Sequence, residues 1–571
     1  MFKSKTKTCQ NCKSKFTIEP EDFEFYEKIG VPAPTFCPEC RLKRRLVFRN
    51  ERNLYKRKCN FSDKEIFSAL PKHALIKVYD LDIWNSDKWD VMKYNIEYDF
   101  NKLFFKQLKE LMKKVPLPSK VALNLINSDY SMNSTHLKNC YFVFNGTYDE
   151  NCAYSNQITY SKDSYDNLYM SKCELCYDGF ALADCYKVFY SINCTDCQEV
   201  YLSKNLVNCH NCFGCTNLRH KKYHIFNKPY IKSEYFKELE KFNLGSYQSI
   251  IKLKQKAYQE SLKYPNKFIH GKKNVNVSGD YLYNCKNVKN SYDNRESENL
   301  KYCQNLIGKD SSNSYDFSVA GTYSNLVYES LAVSRGINTL KFCINCYPDC
   351  RNMEYCMHCF SSSNLFACVG LRHKQYCILN KQYTKEEYEE LVPKIKQHMN
   401  DMPYTDKKGR VYKYGEFFPS ELSPFGYNET IANEYFPLTK KQAIEQGYNW
   451  YDKEKNEYEP TIKAKDLPDN IKDVNNNILK EVIQCNSKDC AGSGVFRIIP
   501  QELKFYKKMN IPLPHLCPDC RHRERIKQRN PLKLYTRQCM NKGCNNTFET
   551  TYAPDRKDIV YCEKCYNMEV G

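Results

Sequence analysis

Twelve cysteines near the two ends of the chain have the spacing of metal ligands. They form three groups of two close pairs, and each group can supply four thiolates to one tetrahedral zinc ion. Four cysteine ligands leave no open position for a catalytic water, so we expect three zinc ions in closed sites. The groups are Cys9, Cys12, Cys37 and Cys40; Cys485, Cys490, Cys517 and Cys520; and Cys539, Cys544, Cys562 and Cys565.

Disulfide bonds are the alternative chemistry for these cysteines. The N-terminal sequence MFKSKTKTCQNC lacks the apolar segment of a secretion signal. Closely spaced cysteine pairs inside a reducing cell favour metal over disulfides. No run of 18 apolar residues is present, so no transmembrane helix is expected. We therefore predict a cytoplasmic protein that has no membrane partner.

The metal-binding sequence is duplicated. The stretch Thr35–Cys59 returns 480 residues later as His515–Cys539, and the register also relates Phe25-Tyr26 to Phe505-Tyr506. The chain is therefore bracketed by two copies of one module. Only the C-terminal copy is followed by a further four-cysteine group, because Cys59 has no corresponding partners. The equivalent site near the N-terminus is predicted to be lost.

A short helix is predicted after the second cysteine pair of each module, because residues 41–53 contain no Gly or Pro. Its arginines recur every fourth position and so share one face. Arginine suits phosphate oxygens, and a nearby tyrosine can stack on a base. The alternative is a solvated basic face that balances the charge of about −2 on a four-thiolate zinc site. The predicted phosphate ligands are Arg41, Arg45, Arg49, Arg521, Arg525 and Arg529.

These motifs resemble small zinc-ribbon, or treble-clef, domains of bacteria. The resemblance rests on C-x2-C-x3-F, F-Y and C-P-x-C-R, of which the copy has a longer first knuckle, Cys485-x4-Cys490, and on Thr551–Cys565, TYAPDRKDIVYCEKC. Over nearly its full length the chain is similar to uncharacterised bacterial proteins rich in Cys and Tyr. Those proteins carry ribbons at each end and a repetitive middle. The resemblance implies an architecture and no assigned activity.

Composition points to an anionic partner. The 571 residues carry a net charge of +20, with 47 tyrosines, 31 phenylalanines and only 3 tryptophans. A strongly basic chain is attracted to nucleic acid or another polyanion. The many tyrosines favour strands with stacked rings.

The middle of the chain is repetitive. Cys152, Cys173, Cys194 and Cys215 follow one another at intervals of 21 residues. Short strands separated by Asn, Asp, Ser and Gly at a fixed period indicate a parallel β-helix. A second block matches the first at an offset of 153 residues, and both end in Leu-Arg-His-Lys. Helical segments after each block are predicted to cap the open ends of the solenoids.

We therefore predict a mostly β, multidomain protein, in which terminal zinc ribbons flank two parallel β-helix-like solenoids of about 21 residues per coil. The predicted units are the N-terminal zinc ribbon, 1–60; a connecting α+β segment, 61–120; the first solenoid, 121–228; a helical linker, 229–273; the second solenoid, 274–382; a helix and Pro/Asn-rich linker, 383–484; the ribbon copy, 485–538; and a second C-terminal ribbon, 539–571.

Two further groups of residues could carry chemistry. Solenoid pairs such as Cys173/Cys176 could converge on a metal ion, but the favoured interpretation is inward-facing thiols that fill the core. The duplicated Leu-Arg-His-Lys could be a structural corner or an anion clamp. Catalysis is disfavoured, because no nucleophile or carboxylate has a matching position in both copies. The clamp residues are Arg219, His220, Arg372 and His373.

The preferred functional hypothesis is a non-enzymatic zinc-binding scaffold that binds a polyanion, with nucleic acid the first choice, through its basic ribbon helices. One alternative is binding or cleavage of an anionic polysaccharide by the solenoid. Another is a protein–protein adaptor. No nucleotide-binding, zinc-protease or serine-hydrolase motif is present in the chain.

Overall fold

Two β-solenoids form the centre of the molecule and ribbon modules pack against them. The computed structural model describes residues 2–306, 308–452 and 458–571. The prediction of a mostly β protein with a central solenoid region is confirmed. The boundaries between the eight predicted units stay predictions. In the described ranges no helix is both long and apolar enough to span a membrane.

The first solenoid has twelve residues per coil rather than the predicted 21. Leu168 pairs in parallel with Asn156 on one side and with Phe180 on the other. From residue 133 to residue 226 every third residue has positive φ, so each coil consists of four three-residue sides. An interval of 21 residues spans a whole number of sides but not a whole number of coils. The cysteine spacing therefore reveals the three-residue length of a side and not the twelve-residue length of a coil.

The left-handed corners explain the Asn and Asp punctuation. Positive φ is costly for most L-residues but common for Asn and Asp. Equivalent corners also stack on successive coils. Asn127 donates to Asn139 at 3.1 Å, Asn139 donates to Asn151 at 3.2 Å, and Asn151 donates to Asp163 at 2.9 Å. The side chains thus add an amide ladder to the backbone ladder.

Small polarisable side chains fill the narrow core. The Cys152 thiol donates to the Glu150 carbonyl at 3.4 Å and to the Ser161 carbonyl at 3.5 Å. Ser155 Oγ accepts the Asn167 amide at 3.0 Å. These side chains satisfy backbone groups that tight corners leave unpaired. The favoured interpretation of the solenoid cysteines as inward-facing core residues is confirmed, because all of them are buried.

The second solenoid has coils of unequal length. Leu300 pairs with Ser314, fourteen residues later, whereas Met353 pairs with Leu365, twelve residues later. Unequal coils explain why its sequence repeat is weaker. Its strands are Gly271–Lys272, Gly279–Tyr283, Lys286–Lys289, Ser291–Arg295, Ser297–Lys301, Ser311–Ser318, Ser324–Leu331, Ile337–Lys341, Arg351–Glu354, Ser363–Phe366, Gln375–Ile378 and Lys381–Gln382.

The strands of the first solenoid are shorter and more regular. Each contributes one side of a coil, and adjacent coils are joined by parallel pairing. They are Ala122–Ile126, Ser134–Lys138, Asn156–Thr159, Leu168–Ser171, Phe180–Ala183, Tyr186–Phe189, Ile192–Thr195, Gln198–Tyr201, His210–Phe213, Lys222–Ile225 and Lys228–Pro229.

Helices follow each solenoid, as predicted. Lys232–Glu240 packs its Tyr235 ring against Tyr223 of the last coil, with 5.7 Å between ring centroids. The helix after the second solenoid, Lys385–Asp401, begins with the predicted capping box. Its Thr384 hydroxyl accepts the Glu387 amide, and the Glu387 carboxylate accepts the Thr384 amide. This helix continues through Pro393.

The remaining elements belong to the ribbons and the connecting segments. The other helices are Pro20–Ile29, Pro38–Leu46, Leu81–Asn85, Phe104–Lys114, Tyr247–Ser261, Ile431–Tyr435, Lys440–Glu445, Pro500–Met509, Pro518–Ile526 and Glu563–Val570, and the 3-10 turns are Val91–Tyr94, Ser420–Leu422, Tyr427–Glu429, Ala464–Asp466, Ile471–Asp473 and Asn476–Lys480. The other strands are Lys5–Thr8, Lys15–Ile18, Tyr55–Lys58, Glu65–Ser68, Val78–Tyr79, Leu117–Pro118, Asn266–Lys267, Tyr404–Thr405, Val411–Tyr412, Ile462–Lys463, Ile483–Gln484, Val495–Phe496, Tyr535–Gln538, Thr547–Thr550 and Val560–Tyr561.

Each of the two duplicated ribbons packs on the solenoid that is farther from it in the sequence. The N-terminal ribbon packs on the second solenoid, where Phe25 stacks on Tyr315 with 4.0 Å between ring centroids. The ribbon copy near the C-terminus packs on the first solenoid, where Phe505 stacks on Tyr165 at 4.3 Å. The duplication seen in the sequence is therefore a duplication of docking geometry as well.

Candidate metal centres and ribbon interfaces

Three clusters of four cysteines could each hold a metal ion. Within each cluster the sulfur atoms all lie within 4.8 Å of one another, and the members are those that the sequence predicted. The Cys12 and Cys37 sulfurs are 3.7 Å apart, and the Cys490 and Cys517 sulfurs are 3.5 Å apart. A tetrahedral zinc ion with bonds of about 2.3 Å separates its sulfurs by roughly 3.8 Å. The donor set and the spacing therefore fit zinc.

Each cluster joins a β-hairpin knuckle to the start of a helix. In the N-terminal ribbon, Cys9 and Cys12 lie between strands Lys5–Thr8 and Lys15–Ile18. Cys37 is the N-cap of helix Pro38–Leu46, and Pro38 suits its first position because that position needs no amide donor. The Cys37 amide donates to the Cys9 sulfur at 3.3 Å. The backbone itself thus orients a ligand sulfur.

The same amide-to-sulfur contact recurs in the other two clusters. Cys517 donates to Cys485 at 3.3 Å, and Cys562 donates to Cys539 at 3.3 Å. Hydrogen bonds from the Cys490 and Cys517 thiols lower the pKa of Cys485 to about 3. A thiolate in a cluster of four thiols is the species that metal binding requires.

A fourth ribbon has the fold of the others without their ligands. The Asp80 amide donates to the Cys59 sulfur at 3.2 Å, which is the contact that Cys562 makes with Cys539. Asp80 therefore occupies the position of a ligand cysteine. Cys59 packs instead with Tyr79 and Trp84 in a small apolar cluster. In this ribbon, contacts with aromatic rings hold the hairpin at the position where the other ribbons have a four-cysteine cluster.

The predicted phosphate ligands of the N-terminal ribbon are buried. The Arg41 side chain is 1% exposed, and its Nη2 lies 2.8 Å from Asp316 of the second solenoid. Arg45 is completely buried and contacts Asp316 at 3.0 Å and Glu329 at 3.3 Å. Burial opposes the charge of Arg41, but attraction to Asp316 outweighs it and raises the arginine pKa well above its ordinary value. These guanidinium groups hold the ribbon on the solenoid and are not available to phosphate.

The copy near the C-terminus repeats this interface. Arg521 Nε lies 3.0 Å from Asp166 of the first solenoid, and Arg525 lies 3.0 Å from Asp166 and 3.3 Å from Asp178. Asp166 and Asp178 are left-handed corner residues, like Asp316 and Glu329 in the other half. The sequence signal for this role was an acidic corner in each solenoid, matched to an arginine in each ribbon.

The third arginine of each ribbon also makes internal contacts. Arg49 is 2.5 Å from Glu51 and 2.9 Å from the Asn145 side-chain oxygen. Arg529 donates to the Tyr169 hydroxyl at 3.3 Å, and its guanidinium lies 3.9 Å from the centroid of the Tyr435 ring. The predicted basic face of both helices is thus an interior face.

The duplicated Leu-Arg-His-Lys lies at the last corners of each solenoid. Arg219 donates to the Tyr566 hydroxyl of the final ribbon at 3.3 Å, and Arg372 lies 3.8 Å from the Trp84 ring centroid. His220 is an exposed corner whose ring nitrogen lies 3.0 Å from the Asn208 side chain, and His373 is the equivalent exposed corner. The motif forms corners of each solenoid, and the binding of an anion by these residues stays a prediction. The arginines serve as docking contacts.

No protein-family model, curated protein or solved structure matches this chain. The cysteine clusters at both ends and the solenoid between them agree with the architecture that the resemblance implied. The functional argument therefore rests on the geometry.

Proposed function

We propose that the protein is a non-enzymatic scaffold whose three cysteine clusters bind zinc. One observation carries this proposal. In the two duplicated ribbons, the helix that contains one cysteine of the cluster and is capped by another also carries the arginines that pair with a solenoid aspartate. In helix Pro38–Leu46, Cys40 belongs to a four-cysteine cluster, and the next residue, Arg41, is paired with Asp316. Zinc would hold that helix in the conformation that presents its arginines. The metal is thus structural, which agrees with four sulfur ligands and no open position.

We further propose that the scaffold binds a polyanion and that nucleic acid is the preferred class. The buried ribbon arginines are paired with carboxylates, so they do not account for the net charge of +20. That excess resides mostly on exposed lysines. The N-terminal hairpin is an exposed basic surface on which Lys5 and Lys15 lie on opposite faces; its exposed lysines are Lys3, Lys5, Lys13 and Lys15. Such a surface suits backbone phosphates rather than base edges.

A salt titration tests the polyanion proposal. Single-stranded and duplex oligonucleotides should bind with an affinity that falls steeply with salt. The triple variant Lys5→Gln, Lys13→Gln, Lys15→Gln should reduce the slope of log affinity against log salt by up to about 3. The matched control is Lys385→Gln, Lys394→Gln, Lys441→Gln, three exposed lysines on helices elsewhere. An unchanged slope in the hairpin variant would exclude this surface.

An exposed aromatic ladder supports a second candidate, recognition of an anionic polysaccharide by the first solenoid. Tyr148 and Tyr160 stack with 5.1 Å between centroids, and His136 stacks on Tyr148 at 4.4 Å. Tyr148 is 49% exposed and Tyr160 is 59% exposed. The exposed edges and hydroxyl groups of these rings recur at coil spacing and offer apolar and polar contacts to a sugar chain. Retention of acidic glycans by the protein, abolished in Tyr148→Ala with Tyr160→Ala, would favour this candidate.

We also propose a reducing compartment, the cytoplasm, as the site of action. The proposal is supported by 32 cysteines that are all unpaired, most of them buried in solenoid cores. Buried thiols that donate to backbone carbonyls have no disulfide partner in this arrangement.

A further inference from the structure

A segment of the chain covers the N-terminal ribbon. Residues 411–425, which we call the strap, lie across the groove between this ribbon and the second solenoid. The Glu416 carboxylate accepts hydrogen bonds from the Thr35 amide at 2.9 Å and the Thr35 hydroxyl at 2.6 Å, and it lies 2.8 Å from Arg44. Phe417 and Phe418 contact Phe48, with centroids 5.8 and 5.7 Å apart. An anion and two rings therefore fill this groove.

The strap is seated closely. A Cβ atom at Gly415, whose φ is +100°, would lie 2.3 Å from Pro32 Cγ. The Gly415 amide also donates to the Tyr355 hydroxyl of the second solenoid at 3.1 Å. The groove walls are thus complementary to this one segment.

The equivalent groove near the C-terminus is a cavity of about 940 Å³. Its ribbon wall contains Pro512, His515, Glu524 and Gln528, which are the counterparts of Pro32, Thr35, Arg44 and Phe48 in the 480-residue register. Its solenoid wall contains Leu202, the counterpart of Tyr355 in the 153-residue register. The surface that the strap occupies in one half is therefore an open site in the other.

A buried histidine with an unpaired ring nitrogen lines this site. The His515 ring stacks on Tyr247 with centroids 3.5 Å apart and rings 7° from parallel. His515 is 7% exposed, and its Nε2 has no hydrogen-bond partner in the described part of the chain. A buried nitrogen without a partner is costly, so a ligand that bonds to it would stabilise the site.

The remaining walls combine charged side chains with rings, and Asp178, Asp555 and Asp558 lie among the cations. Lys204 lies 3.9 Å from Asp558, beyond hydrogen-bond distance, and burial lowers its pKa. Arg556 and the exposed Lys557 lie on the wall formed by the final ribbon. Tyr190, Tyr258 and Ile250 supply ring faces and apolar surface. An anionic group beside a planar ring would satisfy both kinds of wall.

A copy of the strap does not suit this cavity. Its carboxylate would lie near Glu524, which stands at the position of Arg44. Its phenyl rings would meet Gln528, which stands at the position of Phe48. Amide side chains line the cavity instead: Gln528; Asn193, which accepts from the Tyr281 hydroxyl; and Asn530, which pairs with Thr551 and Arg556. Amide side chains pair with the edges of nucleobases.

We propose that this cavity binds a nucleotide, with its base between the tyrosine and isoleucine walls and its phosphate near Lys204 and Lys557. The ligand could be a free nucleotide or the end of a strand, and the two share this chemistry. The choice of a nucleotide among ringed anions rests on the proposed affinity for nucleic acid. The existence of a ligand site at this groove rests on the comparison of the two halves and on the unpaired His515 nitrogen, and not on the proposed affinity for nucleic acid.

Calorimetric titration with AMP, adenosine and inorganic phosphate tests the proposal. AMP should bind more tightly than either part alone, and Lys204→Gln should weaken AMP by at least about tenfold. Ile251→Trp, a change at a half-exposed lining residue, should block the cavity. Lys252→Gln is the control, because Lys252 is exposed on the same helix and is not part of the lining.

Failure of AMP to bind at millimolar concentration, or equal weakening by Lys252→Gln, would overturn the proposal. Binding of a peptide with the sequence of residues 411–425 in place of AMP would overturn it too, by identifying a polypeptide occupant. An oligonucleotide whose affinity depends on Lys204 would identify a strand end, whereas AMP binding alone identifies the free nucleotide. Loss of oligonucleotide affinity in the hairpin lysine variant, with AMP affinity intact, leaves the cavity assignment standing.

Discussion

Replacing Asp316 by asparagine should loosen the N-terminal ribbon from the second solenoid. Asp316 is fully buried, accepts from Arg41 Nε at 2.9 Å and from Arg45 Nη1 at 3.0 Å, and lies 2.8 Å from Arg41 Nη2. Asparagine keeps the shape and tolerates the left-handed corner, but it removes the charge that compensates two buried guanidinium groups.

The size of the effect follows from this burial. Removing one partner of a buried ion pair typically costs about 3–5 kcal/mol, because the other charge stays buried and uncompensated. Part of that cost is recovered when the ribbon undocks and its arginines reach water. Since 1.4 kcal/mol is tenfold in an equilibrium constant, the undocked population should rise by roughly 100- to 3,000-fold. Zinc would keep the undocked ribbon folded, so the change is local.

Hydrogen–deuterium exchange read by mass spectrometry measures this directly. Exchange should accelerate in peptides from helix Pro38–Leu46 and from the solenoid strands beneath it. Asp310→Asn is the matched control, because Asp310 is an exposed left-handed corner of the same solenoid. The reciprocal variant Asp166→Asn should loosen helix Pro518–Ile526 and leave the N-terminal ribbon unchanged.

Two results would refute the reasoning. One is equal protection of helix Pro38–Leu46 in the wild type and in Asp316→Asn. The other is loosening of both ribbons by either variant, since exchanged docking requires each solenoid to hold only the ribbon from the opposite end.

Three further predictions concern the core, the strap and the metal. Burial raises the pKa of Asp149 to about 7 from an unperturbed 3.8, so the folded state binds this proton more tightly than the unfolded state. Its contribution to stability is therefore fully present below pH 4 and is lost as pH rises to about 7, by roughly 4 kcal/mol. Melting curves should show this slope in the wild type and not in Asp149→Asn; the same slope in both would contradict the assignment. Glu416→Gln leaves Arg44 with one carboxylate partner, Glu329, and should increase proteolysis within residues 411–425, whereas the exposed control Glu445→Gln should not. Zinc release, followed with a colorimetric chelator, should be faster in Cys12→Ser than in Cys59→Ser, because only Cys12 belongs to a four-sulfur cluster; equal release would argue against that difference.

The cysteine clusters were predictable because the spacing that defines them is local. Each ligand pair lies within a few residues, and backbone sterics confine such a pair to a knuckle or a helix start. The coil length was not predictable in the same way. Residues at every inward position share a three-residue register, so cysteines 21 apart satisfy the pattern as well as residues 12 apart do. Only the hydrogen-bond ladder distinguishes the two.

The role of the arginines depends on contacts that are remote in the sequence. Arg41 and Asp316 are separated by 275 residues, and Arg521 and Asp166 by 355 residues. Spacing shows that the arginines of a helix share one face, but it does not show whether that face meets solvent or a carboxylate. An acidic residue at a left-handed corner of each solenoid was the available signal, and one of these residues, Asp166, lies in the regular repeat.

The contacts of the strap were also not predictable, because they too join residues that are remote in the sequence. Both ribbons contain the prolines and the helix that form the groove wall, so the duplication in the sequence is compatible with a groove at each ribbon. It does not show that only one of them is filled from within the chain. The ribbon copy has Glu524 at the position of Arg44. This difference shows that a strap carboxylate would be repelled there only once Glu416 is known to contact Arg44.

The central claim is that three zinc ions, each with four sulfur ligands, hold the ribbons in their docked form. Zinc content by mass spectrometry together with zinc-edge X-ray absorption on the purified protein tests it most directly. The account predicts three zinc ions per chain and one shell of four sulfurs at about 2.3 Å. Fewer than three ions, or nitrogen and oxygen in that shell, would contradict it.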